Sequence, residues 1–155
     1  MPRRVRADGC PPSSGHGPDA VPRLGRSFIR DSDPNQPAGP RLRSDTRGMA
    51  RILLTDPDPS YRSLLAAVVR GLGHEAVHTW AEGSAPVDLV VLEPAAPEGI
   101  RMGLALRSLY PRLPIVCVSS RDAIAAALAL EPAAYLVKPV SLAELEAALT
   151  AALPG

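Results

Sequence analysis

Residues 87–94 read Val-Asp-Leu-Val-Val-Leu-Glu-Pro, a largely apolar run that ends in a single carboxylate, Glu93, and is bounded by Pro86 and Pro94. A run of this length predicts a strand buried on both faces, the kind found in parallel sheets. Glu93 then falls at the carboxyl end of that strand. In open α/β sheets the crevice beyond those ends is where ligands bind, so Glu93 is the first candidate site residue.

Outward from this strand, strand and helix signals alternate with short connections. Arg51–Asp56 is an apolar run closing on an acid and predicts the first strand. Asp58 and Pro59 then supply an N-cap and a first-turn proline, and Tyr61, Leu64, Leu65, Val68, Val69 and Leu72 recur at helical spacing up to Gly71 and Gly73. Glu75–Trp80 predicts a second strand. Only about six residues separate Trp80 from Val87, too few for an ordinary parallel crossover, so the helix expected there is a single turn or absent. Ile100–Tyr110 predicts a helix stopped by Pro111, Pro114–Ser120 a fourth strand, and Asp122–Glu131 an alanine-rich helix ended by Pro132. Ala134–Lys138 is the fifth strand, and the Ser141/Glu144 capping box opens a last helix carrying Leu142, Leu145, Leu149 and Leu153. The pattern predicts an α/β fold with a doubly wound, five-stranded parallel sheet.

Composition divides the chain in two. Residues 1–48 hold nine Arg against five acids, with eight of the 18 Pro and six of the 12 Gly, a net charge of +4. Such a segment buries too little apolar surface to offset its ordering entropy, so it is expected to be disordered: a passive tail, or sequence upstream of a true start at Met49. Residues 49–155 carry eight Lys or Arg against eleven acids, net −3, and most of the aliphatic residues, enough for one domain. Arg3 and Arg4 precede no apolar signal segment, and no run approaches a membrane span. The expected location is cytoplasmic. Two cysteines, Cys10 and Cys117, are too few for a disulfide framework. His74 and His78 lack a third ligand in sequence, Trp80 has no aromatic neighbours for a stacking platform, and both read as ordinary surface or packing residues.

Four predicted strand ends deliver chemistry to one edge: Asp56 with Asp58 nearby, Glu93, Ser119, and Lys138 before Pro139. The order ILLTDPDP (52–59), DLVVLEP (88–94), PIVCVSS (114–120) and AYLVKP (134–139) resembles the receiver domain of two-component response regulators, the CheY-like family, over about residues 50–153. The resemblance implies the flavodoxin-like strand order 2-1-3-4-5. It gives Glu93 the place of the phosphoacceptor aspartate and Asp56 that of one Mg²⁺-binding acid, while Pro57 stands where the second acid belongs. It gives Ser119 and Lys138 the roles of phosphoryl contacts, Tyr135 that of the aromatic whose rotamer reports the switch, and Lys138–Pro139 a cis peptide.

The two departures bear on mechanism. Phosphoryl transfer rests on positioning and on charge neutralisation by Mg²⁺. That ion demands near-octahedral oxygen ligands; Asp56, Glu93 and the Ala95 backbone are the remaining donors, and Pro57 offers no side-chain oxygen. Glu93 adds a methylene, in a reaction where about 1 Å of misplacement costs roughly a hundredfold. The expected function is a stand-alone, degenerate receiver-like module of a two-component phosphorelay, independent of phosphorylation and without cofactor or enzymatic activity. It acts by docking on a protein, a histidine kinase or a downstream effector, and not on nucleic acid or membrane. Glu93 serves in that reading as a permanent charge held by Lys138. Its competitors are a bare ion pair left from a site no longer used, an active phosphoacceptor using Glu93 or Asp58 with Mg²⁺, and a non-switching dimerisation scaffold. The surface of the fourth family helix, fifth strand and fifth helix is the candidate interface, including for a homodimer.

Overall fold

Arg51–Thr55 (β2) and Leu89–Leu92 (β4) pair in parallel with Ile52 opposite Leu89 and Leu54 opposite Val91, and all four side chains of β4 are buried. A strand apolar on both sides needs cover on both sides, and the sequence supplies it from different helices. The structure, a computed structural model, describes residues 27–30 and 48–153. In chain order its remaining elements are β1 (Phe28–Ile29), α1 (Pro59–Gly71), β3 (Glu75–Val77), α2 (Pro97–Leu109), β5 (Ile115–Ser119), α3 (Ile124–Leu128), β6 (Ala134–Val137) and α4 (Leu142–Ala152). They form one sheet in the order β1-β6-β5-β4-β2-β3, parallel except for β1.

Two apolar layers sandwich the sheet. On one face Leu65, Val68 and Val69 of α1 and Leu145, Ala148 and Leu149 of α4 close over Ile52, Leu54, Val91, Val116 and Leu136. On the other, Leu106 of α2 and Ala127 of α3 close over Leu53, Val90, Leu92, Cys117 and Tyr135. Helix starts follow their caps. Asp58 accepts hydrogen bonds from the backbone N–H of Ser60 and Tyr61 at the head of α1, and Ser141 and Glu144 make the expected capping box on α4.

The five strands expected from the sequence hold the expected order, and four features differ from expectation. The sheet has a sixth strand, β1, drawn from the segment expected to be disordered. It runs antiparallel to β6 with Phe28 opposite Tyr135 and Ile29 opposite Ala134; the rest of residues 1–47 lies outside the described residues. The second predicted strand ends at Val77 rather than Trp80, while the absence of a helix before β4 matches the short connection expected there. Trp80 instead folds onto the α2 face and meets Tyr110 edge-on, ring centroids 6.3 Å apart, an apolar cover where a crossover helix would lie. The alanine-rich helix also shrinks to Ile124–Leu128. Ala123 at its head donates no side-chain cap, and Glu131 adopts φ 47° just before Pro132, which disfavours helical backbone in its predecessor.

Conversely, α2 starts three residues earlier than periodicity suggested, with Pro97 in its first turn. Gly99 is a close approach: a Cβ there would collide with the Glu93 carbonyl oxygen. The turn after β4 can therefore fold tightly against α2 only because this position has no side chain.

Candidate functional site

Asp56, Glu93, Ser119 and Lys138 meet at the carboxyl edge of the sheet because β2, β4, β5 and β6 are parallel neighbours in register. Asp56 and Glu93 are only 3% and 2% exposed. Burying two carboxylates costs free energy unless each is paired and hydrogen-bonded. Lys138 Nζ provides the pairing, 2.6 Å from Asp56 Oδ2 and 3.3 Å from Glu93 Oε2. The ion pair expected between Lys138 and Glu93 is thus a shared one, closer to Asp56. The ammonium also lies 4.0 Å from the ring centroid of Tyr61 on α1, a cation–π contact.

The Glu93 carboxylate accepts four interactions. Oε1 receives Ala95 N–H at 3.0 Å and lies 3.0 Å from Ser119 Oγ; Oε2 receives Ser120 N–H at 2.7 Å and the Lys138 ammonium. Burial by itself would raise its pKa. The backbone donors Ala95 and Ser120, the Ser119 hydroxyl and the Lys138 charge outweigh burial and hold the group below the usual carboxylate range. Burial likewise works against the Lys138 charge, but the hydrogen bond and charge of Asp56, then Glu93, keep its pKa raised. Glu93 is therefore a fixed anion in a cradle built of two backbone N–H groups, a hydroxyl and an ammonium.

Ser119 has one hydroxyl proton and two acceptors in reach, Glu93 Oε1 at 3.0 Å and the Arg121 carbonyl at 2.6 Å. The same carbonyl accepts the Tyr135 hydroxyl at 3.2 Å, and Tyr135 Oη accepts from Ala123 N–H. Tyr135 is fully buried and points inward. A continuous polar path thus joins Glu93, Ser119, the Arg121 carbonyl and Tyr135.

Asp58 does not join the acidic pair. Its carboxylate is exposed and caps α1, while its own N–H donates to Asp56 Oδ1 at 2.9 Å. The remaining donors do not fit an Mg²⁺ cage. Both carboxylates are already bridged by an ammonium, Pro57 contributes no oxygen, and among the described residues no group of three or more His, Cys, Asp or Glu could hold a metal ion. The Lys138–Pro139 peptide is cis, as expected. Cys117, one strand over from Glu93, has its thiol pushed up to about 12 by burial first and by the Glu93 charge second. His74 accepts the Ala50 N–H through Nδ1 and so serves the backbone.

Two participants were not legible from motifs. Arg62 donates to the Asp56 backbone carbonyl at 2.8 Å, and Tyr61 roofs Lys138. Their signal was only positional: they occupy the first turn of the helix that follows the Asp56 strand. No helix among the described residues is long and apolar enough to cross a membrane.

No family model and no curated protein matches the sequence. Solved structures do match. The chain is similar to the response regulator receiver domain protein (CheY-like) from Methanospirillum hungatei JF-1, at 18% identity and TM-score 0.58, covering 66% of this chain and 91% of that one. It is similar to Vibrio cholerae chemotaxis protein CheY4 at 22% identity and TM-score 0.58, covering 68% and 99%. NtrX from Brucella abortus matches at 24% identity and TM-score 0.57, covering 68% of this chain and only 27% of that longer one. Over about two thirds of the chain these matches share one architecture, and the fold is that of the CheY-like response regulator receiver domain.

Proposed function

We propose that this chain is a receiver-like signalling module that works without phosphorylation, carries no catalytic activity, and acts in the cytoplasm by docking on a protein partner such as a histidine kinase or an effector. The observation that carries the reading is the saturation of Glu93. Its carboxylate already engages two backbone N–H groups, Ser119 and Lys138, so its oxygens are committed as acceptors rather than free to attack phosphorus. Lys138 supplies between the two acids the positive charge that phosphoryl transfer draws from a metal ion. The docking surface is that of α3, β6 and α4, on which Leu128 and Leu142 are exposed.

The test is incubation with acetyl phosphate and, separately, beryllofluoride, each with Mg²⁺, followed by intact mass and Trp80 fluorescence. Neither readout should change. An Mg²⁺-dependent mass gain lost in Glu93→Gln would establish an active phosphoacceptor instead. Partner binding, measured on proteins captured with the full chain, should weaken in both Glu93→Asp and Glu93→Gln; equal binding by all three proteins would reduce Glu93 to a structural ion-pair member.

A further inference from the structure

The edge of β6 is built to add a strand, and the chain already shows what it adds. Ala134–Val137 carries no charge and no proline, the two devices that usually keep an edge from pairing. Against it lies β1. Arg30 N–H donates to the Ala133 carbonyl at 2.7 Å, Val137 N–H donates to Ser27 Oγ at 3.1 Å, and the Phe28 ring stacks on Tyr135 with centroids 6.3 Å apart and planes 22° from parallel. These are the elements of peptide recognition by strand addition: main-chain bonds for affinity, and side-chain contacts for specificity. The Ser27 hydroxyl answers a backbone N–H that an apolar residue would leave unpaired, and the aromatic pair lies directly across the strands, where such contacts contribute most.

We propose that the side of β6 facing away from β5 is a docking site for an extended peptide in which a hydroxyl residue is followed by an aromatic one, and that Ser27–Arg30 is its built-in occupant. A peptide of the same pattern supplied by another molecule competes for the seat. β1 is only two residues long and places one half-buried side chain, Phe28, against the core, so vacating the seat leaves both apolar layers in place. Occupancy is sensed at Tyr135, whose ring lies under Phe28 and whose hydroxyl shares the Arg121 carbonyl with Ser119. The site stands on the fold alone and does not require Glu93 to be a signalling charge.

The probe is a fluorescein-labelled peptide with the sequence of residues 24–33, titrated into the full chain and into its Phe28→Asp/Arg30→Pro variant. The first substitution removes the ring contact and the second the donor to Ala133. Without the built-in strand, the Val137 amide should exchange with deuterium at least about tenfold faster than in wild type, in the manner of an uncovered edge. The variant should bind the peptide saturably and regain that protection, whereas wild type binds it at least about tenfold more weakly because its seat is taken. A folded variant that keeps wild-type protection at Val137, or that fails to bind the peptide, overturns the proposal. Should the double variant not fold, Ser27→Ala in the full chain decides: faster Val137 exchange supports the site, and unchanged exchange overturns it.

Discussion

Lys138 bridges the two buried carboxylates of the site. It is 17% exposed at the side chain and sits between two carboxylates that are almost wholly enclosed. Replacing it with Met keeps the stem and removes the charge, leaving Asp56 and Glu93 buried without a counter-ion. Breaking a buried pair this way costs about 3 kcal/mol or more, so Lys138→Met should lower the urea midpoint sharply at pH 7. The loss should shrink toward pH 4, where protonating a carboxylate relieves the repulsion. In wild type the Glu93 pKa is depressed in the folded state, so its contribution is full above the unfolded value of about 4.3 and fades as pH falls through the folded one. The Lys138 pKa is raised, so its contribution is full below about 10.4 and fades as pH climbs through the folded value. Between those limits these two groups should leave the unfolding free energy flat, which urea titrations at several pH values will show. A slope near neutral pH arising from Glu93 or Lys138 would contradict the pairing. At this scale the sequence was informative about side chains and silent about backbone donors. Glu93, Ser119 and Lys138 could be named from strand ends, yet Ser120 N–H and the Tyr61 ring acquire their roles only from the fold.

Among the elements, the chain segments that follow α2 and α3 share one guanidinium. Arg107, in the last turn of α2, donates to the carbonyls of Pro111, Leu113, Leu130 and Glu131, and so ties together the turns that follow the two helices. Backbone carbonyls in turns outside the helix and sheet ladders need other partners, and a planar guanidinium satisfies several of them at once. Arg107→Ala should cost about 2 kcal/mol or more in urea melts, and Arg107→Lys should recover less than half, because an ammonium cannot span the same set. The elements themselves were legible where periodicity and caps agreed. Asp58-Pro59 before an amphipathic stretch, and Ser141 with Glu144, announced α1 and α4 correctly. Alanine content misjudged α3, since propensity alone does not extend a helix without a cap and against a following proline. β1 was invisible for a different reason. Two apolar residues in a background of Arg, Pro and Gly carry no period, and their pairing with β6 is a fact of tertiary structure.

For the whole molecule, the sheet is the unit that holds fold and site together, since all four site strands are its central members and its two faces are closed by different helix pairs. Cys117 lies in the middle of β5, fully buried, with its thiol pushed up to about 12. The reactive form of cysteine is the thiolate, so neither access nor ionisation favours modification while the sheet is closed. With Cys10→Ser, Cys117 is the one thiol left in the chain. Labelling by a maleimide at neutral pH should then follow only the opening of the central strands, with a rate that rises with urea in parallel with global unfolding. Fast labelling in the absence of urea would mean that β5 is exposed by small local fluctuations. A single sulfur atom, placed for packing, thereby becomes a clock for the sheet, able to time in a crude lysate and without purification how often the strands bearing Glu93 and Lys138 come apart.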